Sequence, residues 1–196
     1  NNFYNYINPK KNKKKRIVYI SSKFRMRPVI EKKIFSSLVI FSKKFNYKLF
    51  FLDRPELKND PIFQNNKNTL ENIFGKKNFS YLVINNLNKK INFLSNSELV
   101  TFLHSTLGYF LLSTNSKVLS FGHHKYNYSG KYKIKKEGLF WFTPNNYPNI
   151  EKKLLKIIET NPTDFKKKLS KHSKNILQFK KNNFKKLEIK NKILDN

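Results

Sequence analysis

His104-Ser105-Thr106-Leu107-Gly108-Tyr109 is the stretch that decides the fold, because it joins two apolar runs. Leu99, Val100, Phe102 and Leu103 ahead of it read as a buried strand, and Phe110, Leu111 and Leu112 behind it open a helix. Small hydroxyl residues and a glycine at a strand-to-helix turn gather backbone N–H groups and a positive helix end at one point. Anions, most often phosphates, are held at such points. The expectation is therefore a phosphate- or nucleotide-binding α/β domain whose amides from Ser105 to Gly108 stand open to a negatively charged guest.

Working outward, Arg16–Ile20 reads as the first strand, stopped by Ser21-Ser22. Pro28 suits a first helical turn, and Val29, Ile30, Ile34, Leu38, Phe41 and Phe45 follow at helical spacing, which predicts a helix over 28–45. Lys48–Leu52 reads as a second strand ended by Asp53-Arg54-Pro55. The polar stretch 55–68 is expected as a loop, 69–74 as a short helix capped by Gly75, and 79–84 as a third strand. Residues 85–90 are expected as a loop, with Ser95 or Ser97 starting a brief helix before the strand at 99–103. Lys117–Phe121 reads as the next strand, and His123–Gly138 as a polar, aromatic loop. From Pro148 on, the pattern is helical, with Ile150, Leu154, Leu155 and Ile158 on one apolar face and Phe165 and Leu169 on another.

This alternation predicts an α/β, Rossmann-like three-layer domain with a mostly parallel sheet and a helical C-terminal extension. The expected layout is a basic arm over 1–15, the α/β domain over 16–160 and lysine-rich helices over 161–196. In such sheets ligands sit beyond the carboxyl ends of the strands. Ser21 to Arg27, Asp53 with Arg54, His104 to Tyr109 and Gly122 to His124 all fall there.

Composition bounds the reading further. The chain has 196 residues, 38% hydrophobic and 15% aromatic, which suits one domain with a substantial core. It has no Cys, so disulfides and thiolate metal sites are excluded. No apolar segment approaches the roughly 20 residues of a membrane span. The first residue is Asn1 rather than Met, and the expectation is a fragment or the second half of something larger.

The net charge is +29, yet Arg stands only at 16, 25, 27 and 54, and Ala is absent. Lys, Asn, Phe and Ile abound, the pattern of adenine- and thymine-rich codons. Nucleic-acid binders usually employ Arg forks. The lysine surplus is thus expected mainly as a solvated surface with nonspecific polyanion affinity. Because Arg is so scarce, Arg25 and Arg27 draw notice as candidates for fork geometry, against a salt bridge to Glu31 or a helix end. His123 and His124 lack further ligands at set spacing, so no metal site is read. His104 is weighed between an acid–base or phosphate contact and a simple hydrogen-bonded strand end. Phe140-Trp141-Phe142 is weighed between base stacking and core, with at least two of the three expected in the core.

With those residues in hand, Arg16 to Lys180 resembles the C-terminal, nucleotide-sugar-binding half of bacterial surface-polysaccharide glycosyltransferases of GT-B fold. The matching pieces are the first strand with Phe24-Arg25, the long helix, the second strand with Arg54, Ser97-Glu98-Leu99-Val100, Ser105-Thr106-Leu107-Gly108-Tyr109, the Lys117–Phe121 strand and Phe140-Trp141. The resemblance implies that Ser105, Thr106 and the Gly108 backbone meet the donor phosphates, with Arg25 or Arg27 neutralising the leaving nucleotide. Ser22, Arg54, His104, Tyr109 and His123 are its further donor contacts. Phe110 stands where the family usually carries Glu, His104 where an acidic residue often precedes the Ser-Thr pair, and Ser113-Thr114-Asn115 where small residues end in Gly.

The resemblance implies a cytoplasmic protein, at most peripheral to the inner face of the plasma membrane. It implies a nucleotide-sugar substrate, no cofactor and no metal, and a glycan acceptor held by a preceding domain that these residues lack. Two other classes stay open: a basic RNA-binding protein of organellar ribosomal type, and a degenerate, non-catalytic glycosyltransferase-like module.

Overall fold

A computed structural model describes residues 13–21, 28–54, 61–103, 105–112, 116–121, 139–140 and 149–168. Five strands, β1 (Lys14–Ile20), β2 (Lys48–Asp53), β3 (Ser80–Val83), β4 (Ser97–Phe102) and β5 (Val118–Ser120), form one sheet in the order β3-β2-β1-β4-β5. Every pairing is parallel. The helices are α1 (Pro28–Lys44), α2 (Pro61–Phe74), α3 (Leu87–Ser95), α4 (Thr106–Leu112) and α5 (Ile150–Glu159), followed by a helical segment over 162–168. The Rossmann-like α/β expectation stands, and all five of these strands run the same way.

The core follows from the pleat. Tyr19 of β1 and Phe51 of β2 point to the side of α1, where Phe35 meets them at centroid distances of 5.8 and 5.2 Å. Phe74 and Phe79 close the same cluster at 5.0 and 5.2 Å from Phe35. The neighbouring residues point the other way. Phe50 packs edge-on against Phe93 of α3 at 5.3 Å, and Phe102 of β4 lies under α4. Helices thus cover both faces, as a buried parallel sheet requires.

Helix α1 begins at Pro28, buries Ile34, Phe35, Leu38 and Phe41, and ends with Lys43 and Lys44 at its negative pole. Asn46 then takes a left-handed φ of 54°, and the Tyr47 N–H donates to the Ser42 carbonyl at 2.9 Å, turning the chain into β2. Gly75, with φ 80°, ends α2 as expected, its N–H donating to the Glu71 carbonyl.

Several boundaries differ from the sequence reading. Residues 61–68 belong to α2 rather than to a loop, because a polar stretch is helical once a narrow stripe, here Leu70 and Phe74, is buried. Residues 87–90 are the first turn of α3. Asn86 caps it by accepting the Lys89 N–H at 2.9 Å, and Ile91 and Leu94 reach the core. No helix starts at Ser95 or Ser97: Ser95 ends α3 and Ser97 starts β4. Strand β1 begins at Lys14, inside the segment expected as an arm, with the Lys14 N–H donating to the Asn96 carbonyl.

Phe140 and Phe165 pack edge-on at 4.7 Å, both buried, so Phe140 is core; Trp141 and Phe142 lie outside the described residues. The apolar face of α5 is Ile150, Leu154 and Ile157. Leu155 and Ile158 are only half-buried beside it.

Candidate functional site

Strand order places the site. The chain moves from β1 outward through β2 to β3, then crosses back to β4 on the other side of β1. The carboxyl ends of β1 and β4 therefore lie side by side, with Ile20 in register with Phe102, while the connections leaving them diverge. A crevice opens at such a switch point.

Ser21 follows β1 and is buried; its N–H donates to the Leu52 carbonyl at 2.9 Å, and its hydroxyl has no hydrogen-bond partner among the described residues. Ser120, beside Phe102 on β5, is also buried, and its hydroxyl likewise has no partner among the described residues. Its N–H donates to the Phe140 carbonyl. Ser21 falls in the stretch the sequence reading placed at this edge, whereas Ser120 escaped it; the available signal was a hydroxyl closing an otherwise apolar strand.

Ser105 precedes α4, and its Oγ accepts the Gly108 N–H at 3.2 Å, so it caps the helix. The helix therefore opens at Thr106, one turn ahead of Phe110. The Gly108 amide differs from the expectation of open amides across the turn, because the cap occupies it. The amides of Thr106 and Leu107 have no carbonyl one turn back within the helix. Gly108 itself is buried: a β-carbon there would lie 2.2 Å from the Phe102 ring. Its smallness lets α4 approach the end of β4 closely.

On the far side of β1, Asp53 closes β2 and is buried. One carboxylate oxygen accepts the Arg54 N–H at 2.8 Å and the other accepts the Tyr81 hydroxyl at 2.5 Å. Burial, and then the bond to Asp53, push the Tyr81 hydroxyl far above its ordinary pKa. Arg54 is half-buried and sits one strand from the crevice. Glu31, in the first turn of α1, is fully buried and accepts the Tyr19 hydroxyl at 2.8 Å.

The structure thus brings Ser105, Thr106 and Gly108 to the crevice between β1 and β4, and Arg54 to the same sheet edge. Ser22, Arg25, Arg27, His104 and His123, and the side chain of Tyr109, lie outside the described residues. Among the described residues no group of three His, Cys, Asp or Glu could hold a metal ion, and no helix is long and apolar enough to cross a membrane. Hydroxyls and amides at this edge can bind an anion through hydrogen bonds; the buried carboxylates of Asp53 and Glu31 are engaged by tyrosines.

The fourth arginine serves elsewhere. Arg16, at the opposite edge, donates from Nε to Ser97 Oγ at 2.9 Å and from its terminal nitrogen to the Phe93 carbonyl. Its guanidinium lies 3.8 Å from the Phe93 ring centroid, and burial lowers its pKa.

A protein-family model described as "putative O-antigen biosynthesis protein" matches residues 34–193. The chain belongs to this O-antigen biosynthesis family. The C-terminal domain of a group 1 glycosyl transferase (LpcC) from Francisella tularensis is similar in fold, with a TM-score of 0.50 and 12% identity. The match covers 90% of this chain and 91% of that domain. The UDP-GlcNAc 2-epimerase of Methanocaldococcus jannaschii, solved with UDP-GlcNAc and UDP, matches at TM-score 0.56 and 8% identity over 82% of this chain. Sucrose-phosphate synthase from Thermosynechococcus elongatus matches at 0.53 and 10% over 84%. This chain spans about two fifths of those two proteins, 42% and 41%. No curated protein matches the chain in sequence. The family member therefore has the fold of a GT-B glycosyltransferase domain, as the resemblance implied.

Proposed function

We propose that this chain is the donor-binding half of a glycosyltransferase acting in surface-polysaccharide assembly. Its unit is the α/β domain expected over 16–160, whose first strand starts at Lys14. The observation that carries the reading is the side-by-side placement of the β1 and β4 carboxyl ends, with Ser21 following one and the Ser105 cap of α4 following the other. A diphosphate is doubly charged and needs several hydrogen-bond donors at one place; hydroxyls and first-turn amides meet that need. Membership of an O-antigen biosynthesis family supports a sugar-transfer role, and the epimerase solved with UDP-GlcNAc supports a nucleotide-sugar as guest.

In this reading Ser105, Thr106 and the turn up to Gly108 hold the donor phosphates, with Arg25 and Arg27 supplying positive charge as the nucleotide leaves. Ser22, Arg54, His104, Tyr109 and His123 are further contacts. The acceptor and its general base come from outside these 196 residues, in the same or another polypeptide. Phe110 replaces the Glu that the resemblance leads one to expect, so ribose is held without that carboxylate.

Calorimetric titration of the purified chain with UDP, GDP and the corresponding monophosphates tests the proposal. Saturable binding of a diphosphate, weaker for its monophosphate, is expected. Neither heat nor thermal protection at millimolar nucleotide would sink it.

A further inference from the structure

Because the sheet is parallel, every strand starts on one edge, opposite the crevice. Exposed lysines collect there: Lys14 and Lys15 at the start of β1, Lys48 at the start of β2, Lys43 in the last turn of α1, and Lys76 with Lys77 in the turn feeding β3. Neighbouring strands lie about 4.8 Å apart, so charges at adjacent strand starts sit within roughly one Debye length, about 8 Å, and act together. Further cations crowd the same edge from within. Lys117 is buried and donates to Glu98 at 3.4 Å and to the Ile158 carbonyl. Burial lowers the pKa of Lys13, Glu98 opposing the shift and Lys117 reinforcing it. Among the described residues the nearby carboxylates include Glu98, Glu151 and Glu159, with Glu71 one turn before Gly75 and paired to Lys67. Glu98 holds Lys117 and Glu151 holds Lys44 at 2.7 Å, and the lysines outnumber them.

We infer that this strand-start edge is a contact face for an anionic phospholipid surface. Charge complementarity requires an extended negative partner, and the arrangement favours a flat lipid surface over nucleic acid. The edge offers Lys point charges rather than Arg forks, since Arg16 is turned inward onto Ser97 and Phe93. Aromatic rings described at this edge are not free for base stacking: Tyr47 stacks on Phe41 at 6.0 Å and carries Lys15 Nζ at 5.2 Å, and Phe45 packs on Phe41 at 4.6 Å and carries Lys44 Nζ at 5.4 Å. A membrane at this edge also leaves the crevice on the opposite side of the sheet open to solute. The inference is independent of what the crevice binds.

Flotation with phosphatidylglycerol vesicles and with phosphatidylcholine vesicles, at low and high salt, tests it. The full chain should float with the former only, and salt should release it. Each lysine near an anionic leaflet strengthens binding roughly fivefold. The triple variant K14E/K48E/K77E, which removes three lysines and adds three carboxylates, should therefore lose at least about a hundredfold in partitioning. The variant K32E/K33E/K89E changes net charge equally on exposed helical positions away from this edge, and should lose far less. Unchanged thermal melting of both variants keeps the comparison clean; if the edge triple does not fold, the single variants K14E and K48E are read against K32E. Absence of flotation, equal losses in both variants, or tighter binding per phosphate to single-stranded RNA than to vesicles would overturn the inference.

Discussion

Gly108 of α4 stands against the ring of Phe102 at the end of β4, so close that a β-carbon would fall 2.2 Å from Cδ1 and 2.5 Å from Cγ. Phe102 is fully buried between β1 and β5 and cannot swing clear. The contact sets the height of α4 above the sheet and thereby the position of Ser105 at the crevice. Gly108→Ala is expected to cost about 1–3 kcal/mol through overpacking. Chemical denaturation measures it, and the double variant F102L/G108A should recover part of the loss. An unchanged midpoint for G108A would show that α4 is free to shift.

Ser105 separates two roles that the sequence superimposes. Removing the cap in Ser105→Ala should cost roughly 1 kcal/mol, whereas Asp caps about as well as Ser. Ser105→Asp should thus keep stability but place a carboxylate where the donor phosphates are proposed to lie. A variant as stable as wild type with nucleotide binding abolished is the expected result. Unaltered affinity would move the phosphates away from this turn.

Arg16 joins the starts of β1 and β4 to α3 through Ser97 and the Phe93 carbonyl. Arg16→Met keeps volume but takes the donor from the buried Ser97 oxygen and leaves the Phe93 carbonyl with the Ser97 hydroxyl alone, at about 1–3 kcal/mol. Arg16→Lys should recover little, since a single ammonium cannot reproduce the fork. Urea midpoints for the two variants check this, and nucleotide affinity should be unaffected because the crevice is at the other edge.

Tyr81 makes stability depend on alkaline pH. Its folded pKa is raised by burial and by its bond to Asp53, above the unfolded value of about 10. Its contribution is therefore complete below about pH 10. It is lost as pH rises from there through the folded value, because the unfolded chain releases the proton first. Tyr81→Phe should be less stable than wild type at pH 8, and the gap should narrow as pH climbs past 10. A constant difference between pH 8 and 11 would show that the hydroxyl does not couple to folding.

The elements that sequence missed share a cause. Asn86 reads as loop by composition, yet it is the cap that starts α3, and a cap is recognisable only when the apolar stripe behind it, Ile91 and Leu94, is seen to be buried. The first turns of α2 are polar for the same reason: one narrow stripe suffices once neighbouring aromatic residues cover it. By contrast β1 and β2 are continuous apolar runs and α1 carries a 3.6-residue period, and all three were legible within two residues.

The chain's local patterning alone established the α/β alternation, the strand ends where polar residues gather, and a strand-to-helix junction at Ser105, because these depend on residues near one another along the chain. Tertiary structure alone decided that Arg16 clamps a serine 81 positions away, that Asp53 is engaged by Tyr81, and that Gly108 answers to a phenylalanine ring. Strand order did the same for the crevice and the lysine edge, placing them on opposite ends of one sheet. Each of these partnerships is fixed by which strands become neighbours, and parallel pairing across long crossovers leaves no mark in local periodicity.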